Sequence, residues 1–206
     1  MGLMDGKIIL FDWDDTLFSK VEYKKNLRSN LARICEVSEE EIFEFEEKYF
    51  NGLINSGDFQ IDDFVNSFSK KFNKKIDLED FSTDRLGIYS SALFPETIGV
   101  LNKLKINFRL GIYSQGFDSL QRIKIRSSGI ENFFDQSLIC INRNKLDPDF
   151  IKKLPNDAII IEDKKEVIEK LKNTGRFQLF WINRNNDERI EGIATIKNLG
   201  ELVNLI

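Results

Sequence analysis

The chain contains no histidine. That excludes Ser-His and Cys-His nucleophilic catalysis and any metal site built on imidazole, and it leaves acid–base work to carboxylates and lysines. Cysteine is almost as scarce. Cys35 and Cys140 are the two in 206 residues, too few for a disulfide framework or a zinc cluster, and both sit in apolar surroundings that suit core residues. No apolar run approaches the roughly 20 residues of a membrane span. The first apolar run belongs to a strand and lacks the basic-then-apolar design of a secretory leader, so a cytoplasmic location is expected. There is no internal repeat and no low-complexity segment. Nor is there a basic face: residues 17–95 hold 11 basic and 15 acidic side chains and the remainder 19 of each, for a formal charge of −4, so no nucleic-acid footprint is expected.

What the chain does have is an ordinary globular balance, 41% hydrophobic and 31% charged, with length for one sizeable core and a smaller appended domain. Its organising stretch is KIILFDWDDTLF, residues 7–18. Ile8, Ile9, Leu10 and Phe11 form a continuous apolar run, as a strand buried on both faces of a parallel sheet requires. Asp12 and Asp14 then stand one residue apart at its carboxyl end, where open α/β sheets place their ligands. An Asp-rich turn alone reads as a solvated turn. Three further runs also end in polar groups, however: Ser114 follows LGIY, Lys145 opens KLDPDF, and Glu162-Asp163 follow AIII.

After Leu17 the apolar spacing becomes helical. Tyr23, Leu27, Leu31 and Ile34 mark a helix over residues 20–36. Ser38 with Glu41 has the pattern of a capping box ahead of a second helix carrying Ile42, Phe45, Tyr49 and Phe50, which Asn55, Ser56 and Gly57 break. A third helix puts Phe64, Val65, Phe68 and Phe72 on one face, and a fourth is expected from about Leu78 to Ala92. Aromatic residues at this spacing are core packing and not a cofactor box. Phe94-Pro95 marks a return to alternating elements: a helix over 97–105, a strand over 108–113, a helix from Gly116 to the stop at Gly129, a strand at 137–141, and a helix capped by Asp147-Pro148. A strand at 158–161, a helix at 165–173 and a strand at 177–182 follow, with Ile193–Ile196 and a helix from Leu199 completing the edge. Strand–helix alternation implies right-handed crossovers and a parallel sheet.

These motifs, in this order, resemble the haloacid dehalogenase superfamily, and within it the phosphatases that work through an aspartyl-phosphate. Asp12-Trp13-Asp14-Asp15-Thr16 matches the family's DxDxT, Ser114 its second motif, Lys145 its third, and Glu162-Asp163 its acidic fourth. The resemblance implies a Rossmann-like α/β fold with strand order 3-2-1-4-5 and helices on both faces, formed by residues 1–17 and 95–206, with residues 18–94 inserted as an all-α cap. It implies Asp12 as nucleophile, Asp14 as general acid and base, Lys145 as the neutralising cation, and Ser114, Gln115 and Lys145 on the substrate phosphate. Mg2+ would be held by Asp12, the backbone carbonyl of Asp14 and Asp163, with Glu162 a further candidate ligand. Strand alternation predicts that Glu162 and Asp163 point in different directions.

The match has departures. A second acid usual four residues after Asp163 is Val167 here, leaving Glu162 or Glu166 to assist the metal. Leu146 stands where a proline is common, and Asp15, where glycine is frequent, is expected to shape the turn. The implied activity is Mg-dependent hydrolysis of a small phosphorylated metabolite. A phosphomutase of the same chemistry and a non-enzymatic binding protein on this fold remain alternatives. Lys20, Tyr23, Asn55 and Asp58 are positional candidates for specificity. The sequence leaves the oligomeric state open and is compatible with a monomer.

Overall fold

The computed structural model describes residues 6–53 and 58–206, so Asn55 and the expected break at Ser56-Gly57 lie outside the described residues. The chain divides into two compact units: residues 6–18, Phe94–Gln115 and Ile130–Ile206 form the first, and Ser19–Leu93 with Gly116–Gly129 the second.

The first unit is built on a six-stranded sheet of order β3-β2-β1-β4-β5-β6, in which every pairing is parallel. Its strands are β1 (Ile8–Phe11), β2 (Arg109–Gln115), β3 (Ile139–Asn142), β4 (Ile159–Glu162), β5 (Gln178–Ile182) and β6 (Ala194–Ile196). The order is the one the resemblance implies, with the chain's tail adding β6 at the edge. Ile9, Leu10 and Phe11 are fully buried because β1 lies between β2 and β4. Crossovers run both ways from β1, which for right-handed connections distributes helices over both faces. The backbone at Gly111 admits no side chain: a Cβ there would come within 2.6 Å of the Leu138 Cβ and carbonyl oxygen and 2.7 Å of a Leu10 methyl. The connecting helices of this unit are α5 (Thr97–Leu104), α7 (Pro148–Lys153), α8 (Lys165–Lys172) and α9 (Leu199–Leu202). Val167, Ile168 and Leu171 of α8 join Leu10, Ile160 and Trp181 in one core cluster. Asp147 caps α7 by accepting from the Asp149 and Phe150 amides, with Pro148 at the first helical position.

The second unit is helical, comprising α1 (Lys20–Cys35), α2 (Glu39–Gly52), α3 (Ile61–Phe72), α4 (Leu78–Ser82) and α6 (Asp118–Ser127). The capping box at Ser38 and Glu41 forms as expected. Rings from three of these segments interlock, Phe64 lying 5.0 Å from Tyr49, 5.6 Å from Phe45 and 5.4 Å from Phe81. Arg28 and the buried Glu46 bond at 2.7 Å between α1 and α2.

The fourth helix differs from the expectation of Leu78–Ala92. It ends at Ser82, and a short 3-10 turn at Ser90–Ala92 follows separately. The Asp84 carboxylate bonds the Tyr89 and Ser90 amides, and Gly87 takes a left-handed conformation at φ +66°. Such local side-chain bonds compete with helix propagation. Helix α6 also differs from expectation, grouping with this unit and not with the sheet. Its N-cap residue, Phe117, has no capping side chain, and Asp58 supplies the acceptor instead, taking the Ser119 amide at 3.0 Å. The Ser119 hydroxyl donates to the Phe59 carbonyl, and Ser127 at the far end donates to the Ser82 carbonyl. Among the described residues, no helix is long and apolar enough to cross a membrane.

Candidate active site

The carboxyl ends of β2, β1 and β4 are adjacent in the sheet, and the residues there carry the site. Asp12 follows directly on β1, its amide bonded to the Ile161 carbonyl of β4 at 2.9 Å. Beyond it the backbone turns sharply. Asp15 adopts φ +65°, as expected of its place in the turn, and its amide donates to the Phe18 carbonyl while the Leu17 and Phe18 amides both donate to the Trp13 carbonyl. Buried Trp13 stacks on Phe18 with centroids 5.3 Å apart. The loop thus holds Asp12 buried at 3% exposure and Asp14 half-buried. Thr16, itself buried, donates to the second Asp12 oxygen at 3.4 Å.

Lys145 arrives from the β3–α7 loop and is fully buried. The Tyr113 hydroxyl donates to its carbonyl oxygen, fixing the backbone, and its ammonium lies 2.6 Å from an oxygen of Asp12 and 2.6 Å from an oxygen of Glu162. A solvated helix flank is thereby ruled out for this lysine. Burial alone would push the ammonium's pKa down, but Asp12 and Glu162 hold it well above the usual lysine value. Burial pushes Asp12 up to about 6, with Lys145 opposing and Asp163 adding to the rise. Burial and then the charge of Asp12 push Glu162 well above the usual carboxylate range. A buried ammonium among three carboxyls leaves the group short of positive charge.

Glu162 and Asp163 correct the sequence expectation. They do not diverge: single oxygens of Asp12, Glu162 and Asp163 lie within 4.8 Å of one another. β4 ends at Glu162, so alternation no longer governs Asp163, whose carbonyl is instead held by the Trp181 indole N–H at 2.7 Å. Both oxygens of Glu162 are engaged, one by Lys145 and the other by the Lys164 amide at 3.0 Å. Asp163 Oδ1 is buried and has no hydrogen-bond partner among the described residues. An orphaned carboxylate oxygen beside two further carboxyls is a donor set that suits a hard divalent cation such as Mg2+. The Asp14 side chain is not in this cluster.

Ser114 is buried at 1% exposure in the last turnless stretch of β2, and Gln115 is exposed at the strand's end. Of the positional candidates, Lys20 and Tyr23 line a cavity of about 280 Å³ within the helical unit, together with Tyr89, Phe117 and Lys124. Asp58 is spent on capping α6. Sequence reasoning missed the supports of the site. Tyr113, Trp181 and Arg184 act through backbone carbonyls, and an aromatic or basic residue at a strand end carries no local signal of that use.

No protein-family model matches the chain. It is 24% identical to the pyrimidine 5′-nucleotidase YjjG of Escherichia coli (strain K12), over 96% of each protein. Among solved structures, the HAD phosphatase of Thermococcus onnurineus matches with a TM-score of 0.57 at 23% identity, over 97% of both chains. YfnB of Bacillus subtilis, a HAD-type protein bound to magnesium, matches with a TM-score of 0.61 at 17% identity, over 97% of this chain and 98% of that one. The L-2-haloacid dehalogenase of Xanthobacter autotrophicus matches at 0.56 and 15% identity, over 97% of both. With the parallel sheet and the order of its strands, these likenesses define the fold, which is that of the haloacid dehalogenase-type proteins.

Proposed function

We propose that the protein is a Mg2+-dependent phosphatase acting in the cytoplasm on a small phosphomonoester through a covalent aspartyl-phosphate, with the helical unit as the cap that sets which organic group is accepted. The observation that carries this reading is the buried Asp12 carboxylate, held by Lys145 at 2.6 Å beside the unpartnered oxygen of Asp163.

A carboxylate is a weak nucleophile, and it attacks phosphorus when fixed positive groups offset the charge repulsion. Asp12 attacks, a phosphorus–oxygen bond forms on its carboxylate, and the bond to the alcohol breaks. Asp14 gives a proton to the departing alkoxide, then takes one from the water that attacks the aspartyl-phosphate, releasing phosphate and restoring Asp12. Lys145 offsets charge on Asp12 and the phosphoryl group. Ser114 and Gln115 donate to phosphoryl oxygens, and a bound Mg2+, held by Asp12, the Asp14 carbonyl and Asp163, supplies further charge neutralisation.

The test is phosphate release from an aryl phosphate with and without Mg2+, followed by a screen of phosphorylated metabolites. Nucleoside monophosphates come first in that screen, because YjjG is a nucleotidase. Asp12→Asn keeps the side chain's shape and removes the nucleophile, so turnover should vanish and acid-quenched wild-type protein should carry phosphate on Asp12. Substantial residual activity in Asp12→Asn would mean that water attacks directly. Sugar-phosphate isomerisation dependent on a bisphosphate primer would make the enzyme a mutase.

A further inference from the structure

Arg184 stands two residues past β5, in a loop organised around the buried Asn183. The Asn183 amide donates to the Ile196 carbonyl at 2.8 Å, and its side chain bonds Asn186 and the Glu188 carbonyl at 2.7 and 3.2 Å. A loop so pinned presents the guanidinium in one place. One nitrogen pairs with Glu96 at 2.8 Å, and the other donates to the Thr16 carbonyl at 2.9 Å. The guanidinium carbon lies 3.6 Å from the centroid of the Phe94 ring. The same Glu96 oxygen also accepts the Leu199 amide at 3.4 Å.

Those contacts gather two separate segments. Thr16 belongs to the loop that follows Asp12, and Phe94–Glu96 is where the chain returns from the helical unit. The two are also joined directly, since the Leu17 carbonyl accepts from the Phe94 amide at 3.1 Å and from the Thr97 hydroxyl at 2.9 Å. Thr16 in turn carries the hydroxyl that reaches Asp12. We infer that Arg184 is a positioning residue for the Asp12–Phe18 loop: by gripping the Thr16 carbonyl while paired with Glu96 and stacked on Phe94, it sets the orientation in which Thr16 and Asp12 meet. Arginine suits this use because its planar fork bonds two acceptors at once while its face lies on a ring, which a lysine cannot do.

Hydrogen exchange tests the loop directly, and activity tests its consequence. The second readout rests on the phosphatase reading; the first does not. In Arg184→Met, the amides of Asp15, Leu17 and Phe18 should exchange roughly tenfold faster or more, the worth of one charge-assisted bond, with those of Ile160 and Ile161 in β4 unchanged. kcat on an aryl phosphate should fall roughly 10- to 100-fold while KM moves less than about twofold. Arg184→Lys, the variant to use if the methionine form does not fold, keeps the Glu96 pair and should still leave the three loop amides fast. Unchanged loop exchange in a folded variant overturns the inference. So does uniform acceleration across the sheet, which would mark Arg184 as merely structural. Inactive wild-type protein would sink the phosphatase reading and leave the exchange result to decide the role of Arg184.

Discussion

The Lys145 ammonium lies 2.6 Å from a Glu162 oxygen, with neither side chain more than 1% exposed. A lysine so deeply placed stays charged only through its two acidic neighbours, and Glu162 is the one with no assigned part in bond making. Its second oxygen, on the Lys164 amide, anchors the pair to the turn that carries Asp163.

Glu162→Ala leaves the buried ammonium with Asp12 alone. Breaking a buried pair costs about 3–5 kcal/mol when the charge left behind has no partner, so about 3 kcal/mol is expected here, read from denaturant midpoints at constant slope. Glu162→Gln retains an acceptor for Lys145 and removes a carboxyl already disfavoured as an anion by burial and by Asp12. Its cost should be well below that of alanine. Equal losses in the two variants would show that the acceptor retained by glutamine gives Lys145 no support.

Magnesium affinity should depend on Asp163 more than on Glu162. Both Glu162 oxygens are already bonded, whereas Asp163 Oδ1 has no hydrogen-bond partner among the described residues. Val167 is buried in the apolar core where a second acid is common in the family these motifs resemble, so the ion should keep several waters and bind modestly. Calorimetric titration should find a sharp loss of affinity in Asp163→Ala and a mild one in Glu162→Ala. The reverse order would move the motif's register by one residue.

Stability should fall as pH rises across the range in which Asp12 ionises in the metal-free protein. Its folded pKa of about 6 exceeds the unfolded 3.8. The stabilisation is therefore complete below 3.8 and lost as pH climbs through about 6. Asp135 acts oppositely and elsewhere: bonds from Ser137 and Arg109 hold it down to about 2, so its contribution is lost as pH falls from 3.8 towards 2. Melting temperatures at pH 4 and 7 should converge in Asp12→Asn relative to wild type, and added Mg2+ should restore wild-type stability at pH 7. A wild type that gains on Asp12→Asn between those pH values contradicts the assignment.

Gly111→Ala should destabilise by about 2 kcal/mol or more, because the new methyl meets a backbone oxygen and two packed side-chain carbons. Thermal melting checks this, and an unchanged midpoint would mean that β2 and Leu138 move apart freely.

Much of this protein is legible in its sequence because the signals are local. The apolar run Ile8–Phe11 marks a doubly buried central strand. The capping residues Ser38 and Asp147 mark helix starts, and the polar groups that end three such runs mark the face where the site forms. These depend on backbone geometry a few residues wide, and a parallel sheet with right-handed crossovers admits few orders. Tertiary structure alone decided the rest. The Leu78 helix stops at Ser82 because Asp84 folds back on Tyr89 and Ser90, and α6 joins the helical unit because Asp58, 61 residues earlier, caps it. Glu162 turns inward to Lys145, 17 residues away, and Arg184 reaches Thr16 across 168. Each of these is a bond between a side chain and a partner brought near by folding, and no periodicity or spacing within the chain encodes such a meeting.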